Sequence, residues 1–297
     1  MNPKVLRYFV AVAELNSFTA AAEKLHVAQP AVSMAIQKLE QGFGLQLFHR
    51  QERRVSLTDE GKAFLPHARR ILQAQADAEL AMAELSGLQS GEVKVGIPGM
   101  LGSYYFPPLL MAFRHLYPRL QLSVMESGTR KLQQMLLSGE LDIAVIVADK
   151  LPDGLEACHF LRAQMMVVMP EDHPLASEES ITLDALLAEE LVLFKEGYFH
   201  REVLDKLIAD SQITPRIGFE TNLIPLIKQI VRQGFGISTL LEMVISDDPT
   251  LVARPFREPV WLDLSLAWRR EGYISRANRS FIDFIVQQAQ LNPPQSQ

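Results

Sequence analysis

The sequence predicts an α/β protein built as a small helical head with a two-stranded wing, one long linking helix and a larger two-lobed body. Three observations predict it. Apolar residues over the first 43 positions recur at the i, i+3, i+4, i+7 spacing of short helices. Residues 58–85 carry one long seam of apolar positions spaced alternately by four and three. From residue 91 onward, strand-like apolar runs alternate with helical ones, the pattern of a mainly parallel sheet.

Leu6, Phe9, Val10 and Ala13 form the first helical stripe, which Asn16 and Ser17 interrupt. Ser17 is placed to cap a second, shorter helix carrying Phe18, Ala21, Ala22 and Leu25. After a break at 26–29, Pro30 sits where proline is tolerated, in a first turn. Val32, Ala35, Ile36, Leu39 and Phe43 then make a third stripe, ended by Gly42 and Gly44. Two short helices, a tight turn and a third helix with small residues at its start make a helix-turn-helix.

The third helix offers Gln29, Pro30, Ala31, Ser33, Met34, Gln37 and Lys38 on its outer side. Small residues allow close approach to a major groove. Gln bonds adenine in two places, Ser reads either base type, and Ala or Met meets a thymine methyl. The same spacing also fits a small helical domain whose polar face simply meets water. Beyond it, Leu45, Leu47 and Phe48, then a charged tip from His49 to Arg54, then Val55-Ser56-Leu57 read as a wing. Arg50, Arg53 and Arg54 at its tip suit phosphates or a narrow minor groove, though a solvated hairpin looks alike.

Charge adds a split that the average conceals. The 297 residues carry a formal net charge of −6, which by itself argues against a nucleic-acid partner. Residues 1–70 hold ten Lys/Arg against six Asp/Glu, a charge of +4, so the remainder carries −10. Such asymmetry is expected of a nucleic-acid-binding end joined to something else.

Residues 4–66 resemble the DNA-binding domain of LysR-type transcriptional regulators. The resemblance is carried by Leu6-Arg7-Tyr8-Phe9, Ser17-Phe18-Thr19-Ala20-Ala21-Ala22 and Gln29-Pro30-Ala31-Val32-Ser33. Lys38-Leu39-Glu40, Leu47-Phe48-His49-Arg50 and Leu57-Thr58-Asp59-Glu60-Gly61 continue it. Met34 and Gln37 depart from the polar or basic residues of many relatives, which bears on the DNA sequence read. More loosely, the likeness runs through the rest of the chain. It implies a winged helix-turn-helix at 1–58, a linker helix at 59–90 and an effector-binding domain at 91–297 with a periplasmic-binding-protein-like fold. Lobe I is expected at about 91–160 and 268–297, lobe II at about 161–267.

Thr58, Asp59 and Glu60 suit a helix start, with a capping hydroxyl and acids at the positive end of the helix dipole. Phe64, Ala68, Ile71, Gln75, Ala78, Met82 and Leu85 then form the seam, with Gln75 its polar member. A stripe of this kind packs on its own domain or on a second copy. Its place between two domains favours a homodimer, or a dimer of dimers, on promoter inverted repeats. Double-stranded promoter DNA is thus the expected partner, with RNA polymerase a further one and no membrane.

In the body, strands are expected at 93–97, 120–124, 141–147, 164–169, 191–194, 216–219, 236–238 and 261–268. Helices are expected at 104–116, 131–137, 199–209, 222–232 and 276–290. A cleft between the lobes, beside strand C-termini and helix N-termini, is the natural pocket. Helix starts present free N–H groups and favour anions. The candidates are Met100, Gly102, Ser103, Thr129, Asn222 and Thr239, with Phe194, His200 and Arg201 behind them. Each Ser, Thr or Asn is also an ordinary helix cap. Arg201 points to an organic acid or amino-acid-like effector; no cofactor is expected.

Enzyme signals are poor: the seven histidines show no metal-ligand spacing, and no nucleophile elbow or phosphate-binding glycine loop occurs. Cys158, the single cysteine, excludes an internal disulfide and reads as a buried, inert thiol beside the alternative of a reactive one. Arg7 and Glu14 break the apolar run a secretory signal needs, so a cytoplasmic location is expected. The alternative is a solute-binding protein or an enzyme that uses residues 91–297.

Overall fold

The computed structural model describes residues 2–51, 54–85, 91–147, 151–209, 211, 213–246 and 248–291, with the side chains of Arg50, Gln51 and Arg54 outside the description. It divides into two compact units, Met1–Leu88 and Gln89–Gln297.

In the first unit, α1 (Pro3–Leu15) starts where the Asn2 side chain accepts from the Lys4 N–H, and ends at Asn16 in the left-handed region. Ser17 caps α2 (Phe18–Lys24), its hydroxyl accepting from the Ala20 N–H at 3.2 Å. α3 (Gln29–Phe43) carries Pro30 in its first turn and stops at Gly44, φ 68°. The wing follows as an antiparallel pair, β1 (Phe48–Gln51) and β2 (Arg54–Leu57), with Phe48 opposite Leu57. α4 (Asp59–Leu85) closes the unit.

Leu6, Phe9, Val12, Val32, Ile36, Leu47, Phe48 and Ala68 are buried together. The Phe9 ring meets Phe48 at 5.3 Å and Phe64 at 5.1 Å. Each fully buried side chain of this size contributes about 1.5–3 kcal/mol. A polar joint fixes the wing to the third helix: Glu40, buried, accepts from the N–H of Leu47 (2.8 Å) and of Phe48 (3.3 Å). The Thr58 hydroxyl donates to the Gln46 carbonyl and accepts from the Gly61 N–H, starting α4. Only glycine fits at 61, because a Cβ there would lie 2.1 Å from the Leu47 carbonyl oxygen.

The seam of α4 differs from the expectation of one continuous face. Phe64 and Ala68 pack into the head itself, with Leu65 and Leu72, so the first heptad is spent on the chain's own core. That packing outweighs the roughly 3 kcal/mol that Pro66 costs inside a helix. Further along, Ile71, Met82 and Leu85 are exposed. Gln75 bonds Glu79 on its own helix.

The second unit is built on one eight-stranded sheet. Its strands are β3 (Gly91–Ile97), β4 (Leu120–Glu126), β5 (Ile143–Val147), β6 (Leu155–Pro170), β7 (Glu190–Leu193), β8 (Arg216–Glu220), β9 (Ile237–Leu241) and β10 (Leu251–Arg269). They lie in the order β4-β3-β5-β10-β6-β9-β7-β8. Packed on them are α5 (Gly99–Tyr104), α6 (Phe106–Leu116), α7 (Thr129–Ser138), α8 (Leu183–Ala188), α9 (Phe199–Ala209), α10 (Ile224–Arg232) and α11 (Arg276–Leu291). The sheet is mixed rather than mainly parallel. β4, β3 and β5 run parallel at one end, as do β9, β7 and β8 at the other. The three central pairings are antiparallel, because β6 leads from lobe I into lobe II and β10 leads back. The helix expected over 104–116 begins only at Phe106, since Pro107 and Pro108 have no N–H to give and suit only a first turn.

Replacing Glu40 by Ala leaves two buried N–H groups unpaired. It is expected to cost the head about 2–4 kcal/mol, read as a lower denaturation midpoint, with Glu40→Gln losing less because it keeps one acceptor oxygen.

Candidate nucleic-acid interface and effector cleft

On α3, the apolar stripe decides which side faces out. Val32 and Ile36 are wholly buried, which turns Gln29, Pro30, Met34, Gln37 and Lys38 to solvent and leaves Ala31 and Ser33 half-buried at the margin. Met34 is 64% exposed, and Lys38 has no ion-pair partner among the described residues. The cationic surface of the head is partly neutralised elsewhere: Glu14 pairs with Lys24 and Arg69. The Arg50 and Arg54 backbones lie in the wing strands, while their side chains and all of Arg53 fall outside the described residues.

In the second unit, the C-terminal ends of the outer strands meet across an interlobe seam. Met100, buried at the start of α5, accepts at its sulfur from the Leu241 N–H at 3.5 Å. Gly128 lies so close to the other lobe that a Cβ there would stand 2.4 Å from the Gly197 carbonyl oxygen. The Tyr198 hydroxyl donates to Glu126 at 3.5 Å, and Arg130 pairs with Glu202 at 2.5 Å. Lys228 sits 5.7 Å from the Tyr104 ring centroid while bound to Asp248. The lobes are therefore closed on one another.

Two polar groups in this seam are buried without partners, one from each lobe. Thr129 begins α7, a helix with no side-chain cap, and its hydroxyl has no hydrogen bond. His200, in the first turn of α9, is stacked on Phe194 (centroids 4.8 Å apart) and on Phe199 (3.6 Å), and neither ring nitrogen has a partner. Burial holds this imidazole well below the ordinary histidine pKa, so it is neutral.

Other candidates fall differently. Thr239 is buried in β9 against Val167. Asn222 accepts from the Lys195 N–H at 3.0 Å, tying the start of α10 to the end of β7. Gly102 backs onto Ile97 of its own lobe, and Ser103 is exposed. Arg201 offers no free charge: its guanidinium donates to Asp205 (2.7 Å), Glu220 (2.5 Å) and the Phe194 carbonyl (3.0 Å). Desolvation opposes its charge, and these bonds outweigh that, leaving its pKa raised. Tyr198, Glu126, Arg130 and Glu202 carry no local signal in the sequence, because which residues meet across lobes depends on partners 72 positions away. Burial, with Asp283 nearby, pushes the half-buried Cys158 thiol up, away from the reactive thiolate. Among the described residues no cluster of His, Cys, Asp or Glu is arranged to hold a metal, and no helix is long and apolar enough to cross a membrane.

Comparison with known proteins matches residues 3–62 to the model for bacterial regulatory helix-turn-helix proteins of the lysR family, and residues 86–290 to that for the LysR substrate binding domain. The RuBisCO operon transcriptional regulator of Allochromatium vinosum is 31% identical, with 96% of this chain and 95% of that protein aligned. A full-length OxyR variant from Pseudomonas aeruginosa is similar in structure, with TM-score 0.77, 28% identity and coverage of 98% of this chain and 95% of that one. Full-length CbnR complexed with its target DNA gives TM-score 0.66 at 25% identity, covering 97% of this chain and 100% of that one.

The buried imidazole makes a pH prediction. Unfolding frees His200 to take a proton below about pH 6.5, which the folded protein refuses. Stability is thus unaffected above that pH and falls as pH drops below it, by at most about 1.4 kcal/mol per unit. Denaturant titrations at pH 7.5 and 5.5 should show the loss, and His200→Phe should reduce it.

Proposed function

The chain belongs to the family of LysR-type transcriptional regulators, which bind DNA and are not enzymes, and from that premise we propose how it reads its operator and what it senses. In this reading residues 1–58 are the DNA-binding head, 59–90 the dimerising helix and 91–297 the effector domain. Gln29, Ala31, Ser33, Met34 and Gln37 read base edges in the major groove, with Pro30 starting the helix. Lys38, Arg50, Arg53 and Arg54 hold phosphates or enter the minor groove. The exposed half of α4, with Ile71, Met82 and Leu85 unburied, supports pairing with a second copy. Two heads then read two halves of an interrupted inverted repeat. A dimer of dimers, contact with RNA polymerase and a cytoplasmic location complete the proposal.

The observation that carries the sensing role is the pair of unpartnered buried groups, Thr129 and His200, which flank the close approach of Gly128 to the Gly197 carbonyl in sequence, one from each lobe. Buried polar atoms are paired as a rule; the Trp268 Nε1 and Asn278 Oδ1 atoms are unpaired too but lie elsewhere in sequence, and a ligand that pairs Thr129 and His200 would favour the closed lobes. Met100, Gly102, Ser103, Phe194, Asn222 and Thr239 surround or shape the same cleft in this proposal, with Arg201 fixing the Phe194 segment rather than meeting the ligand. The effector is a small organic acid or amino-acid-like molecule, held by the start of α7 and its hydroxyl instead of by a free cation. Its binding shifts the balance between two poses of the dimer, which requires that it favour one of them.

A promoter fragment from upstream of the protein's own gene should be bound in a salt-dependent way. Removing residues 58–90 should abolish that binding in a gel-shift assay, and Gln29→Ala should weaken it by about 1–3 kcal/mol with relaxed sequence preference. A full-length chain that ignores such DNA overturns the reading. Among small acids and amino acids, a selective ligand should raise the melting temperature. Thr129→Val should erase that rise while leaving DNA binding intact.

A further inference from the structure

Parallel strands have two ends, and the interlobe cleft uses only one of them. At the other end of lobe II, where β7 and β9 begin, lies a hollow of about 410 Å³, within the range of small-molecule sites. A β-bulge keeps it open. Leu191 pairs with Ile217 and Val192 with Phe219, which leaves Gly218 between them without a partner. A Cβ on Gly218 would stand 2.2 Å from a Glu190 carboxylate oxygen, so that carboxylate occupies the place of the missing side chain. On the facing turn Gly236, φ +147°, lies under the same residue, where a Cβ would be 2.7 Å from the Glu190 carbonyl oxygen.

The lining has a consistent chemistry. Two aromatic rings stand at the hollow with large exposure, Phe235 at 62% and Phe219 at 44%. Glu190 has no ion-pair partner among the described residues. Glu189 faces the His173 Nε2 at 3.7 Å. The His173 Nδ1 accepts from the Leu175 N–H at 3.2 Å, which places the ring proton on Nε2, toward Glu189. No Lys or Arg is among the described residues that line it. Ring faces and carboxylates both attract positive charge, and the rings also accept an apolar body.

We propose that this hollow is a second ligand site, taking a small alkylammonium ion whose charged head meets Glu190 and whose carbon shell meets Phe219 and Phe235. It lies within lobe II and does not depend on the reading of the cleft.

Calorimetric titration of the full chain at low salt tests it, with choline and putrescine as the cationic probes. 3,3-Dimethylbutanol, the neutral carbon isostere of choline, and acetate serve as controls. Saturable binding of a cation is expected, weakened about tenfold by Glu190→Gln and by Phe235→Ala. Both substitutions lie at exposed positions, so the circular dichroism melt should stay unchanged. The proposal is overturned by no cation binding, by equal binding of the neutral isostere, or by cation binding that neither substitution alters. Loss of self-association in Phe235→Ala, with no cation bound by the parent chain, also overturns it and assigns the face to a second copy.

Discussion

The antiparallel ladder between β6 and β10 is the constraint on which the effector domain rests. These two strands pass through both lobes, pairing from Leu251 opposite Pro170 to Arg269 opposite Leu155. Every other strand of the sheet joins one lobe or the other through them, β5 beside β10 and β9 beside β6. Two extended segments are a stiff connection in their own planes and a compliant one in twist. The ladder is interrupted at two places, between Pro255 and Val260 and between Leu264 and Ser265.

Closure across the cleft follows from small residues and paired charges. Gly128 admits the Gly197 carbonyl, and the Arg130–Glu202 and Tyr198–Glu126 contacts then come within reach. Surface pairs of this kind are worth at most about 1 kcal/mol each, so they trim the balance between open and closed forms. The larger effect is the cost of leaving Thr129 and His200 buried and unbonded, about 1–3 kcal/mol for each neutral group. In the proposed reading, a ligand that bonds both would recover that cost, the differential a sensor needs.

A buried carboxylate plays the corresponding part in the head. Glu40 lies on the same helix as the outward Gln37 and Lys38, and it bonds the backbone where the chain turns into the wing. The third helix and the wing are thereby held as one piece. Phe64 and Ala68 of α4 join that piece, so the linking helix is anchored in the head before its exposed half begins.

Sequence by itself determined the elements that periodicity and capping specify. The three head helices, the wing, the cap at Thr58 and most strands of the body were legible, because local stereochemistry and the side to be buried are written every two or four residues. The outward set on α3 was legible for the same reason: burying Val32 and Ile36 leaves no freedom in where Gln29 and Met34 point. Tertiary structure decided what depends on distant partners. Arg201 read as a free cation until Asp205 and Glu220 took its charge, and the seam of α4 read as continuous until Phe9 and Phe43 claimed Phe64. The antiparallel centre of the sheet and the contact of Tyr198 with Glu126 join segments dozens of residues apart. Long-range pairing is a property of the folded chain, and no local pattern encodes it.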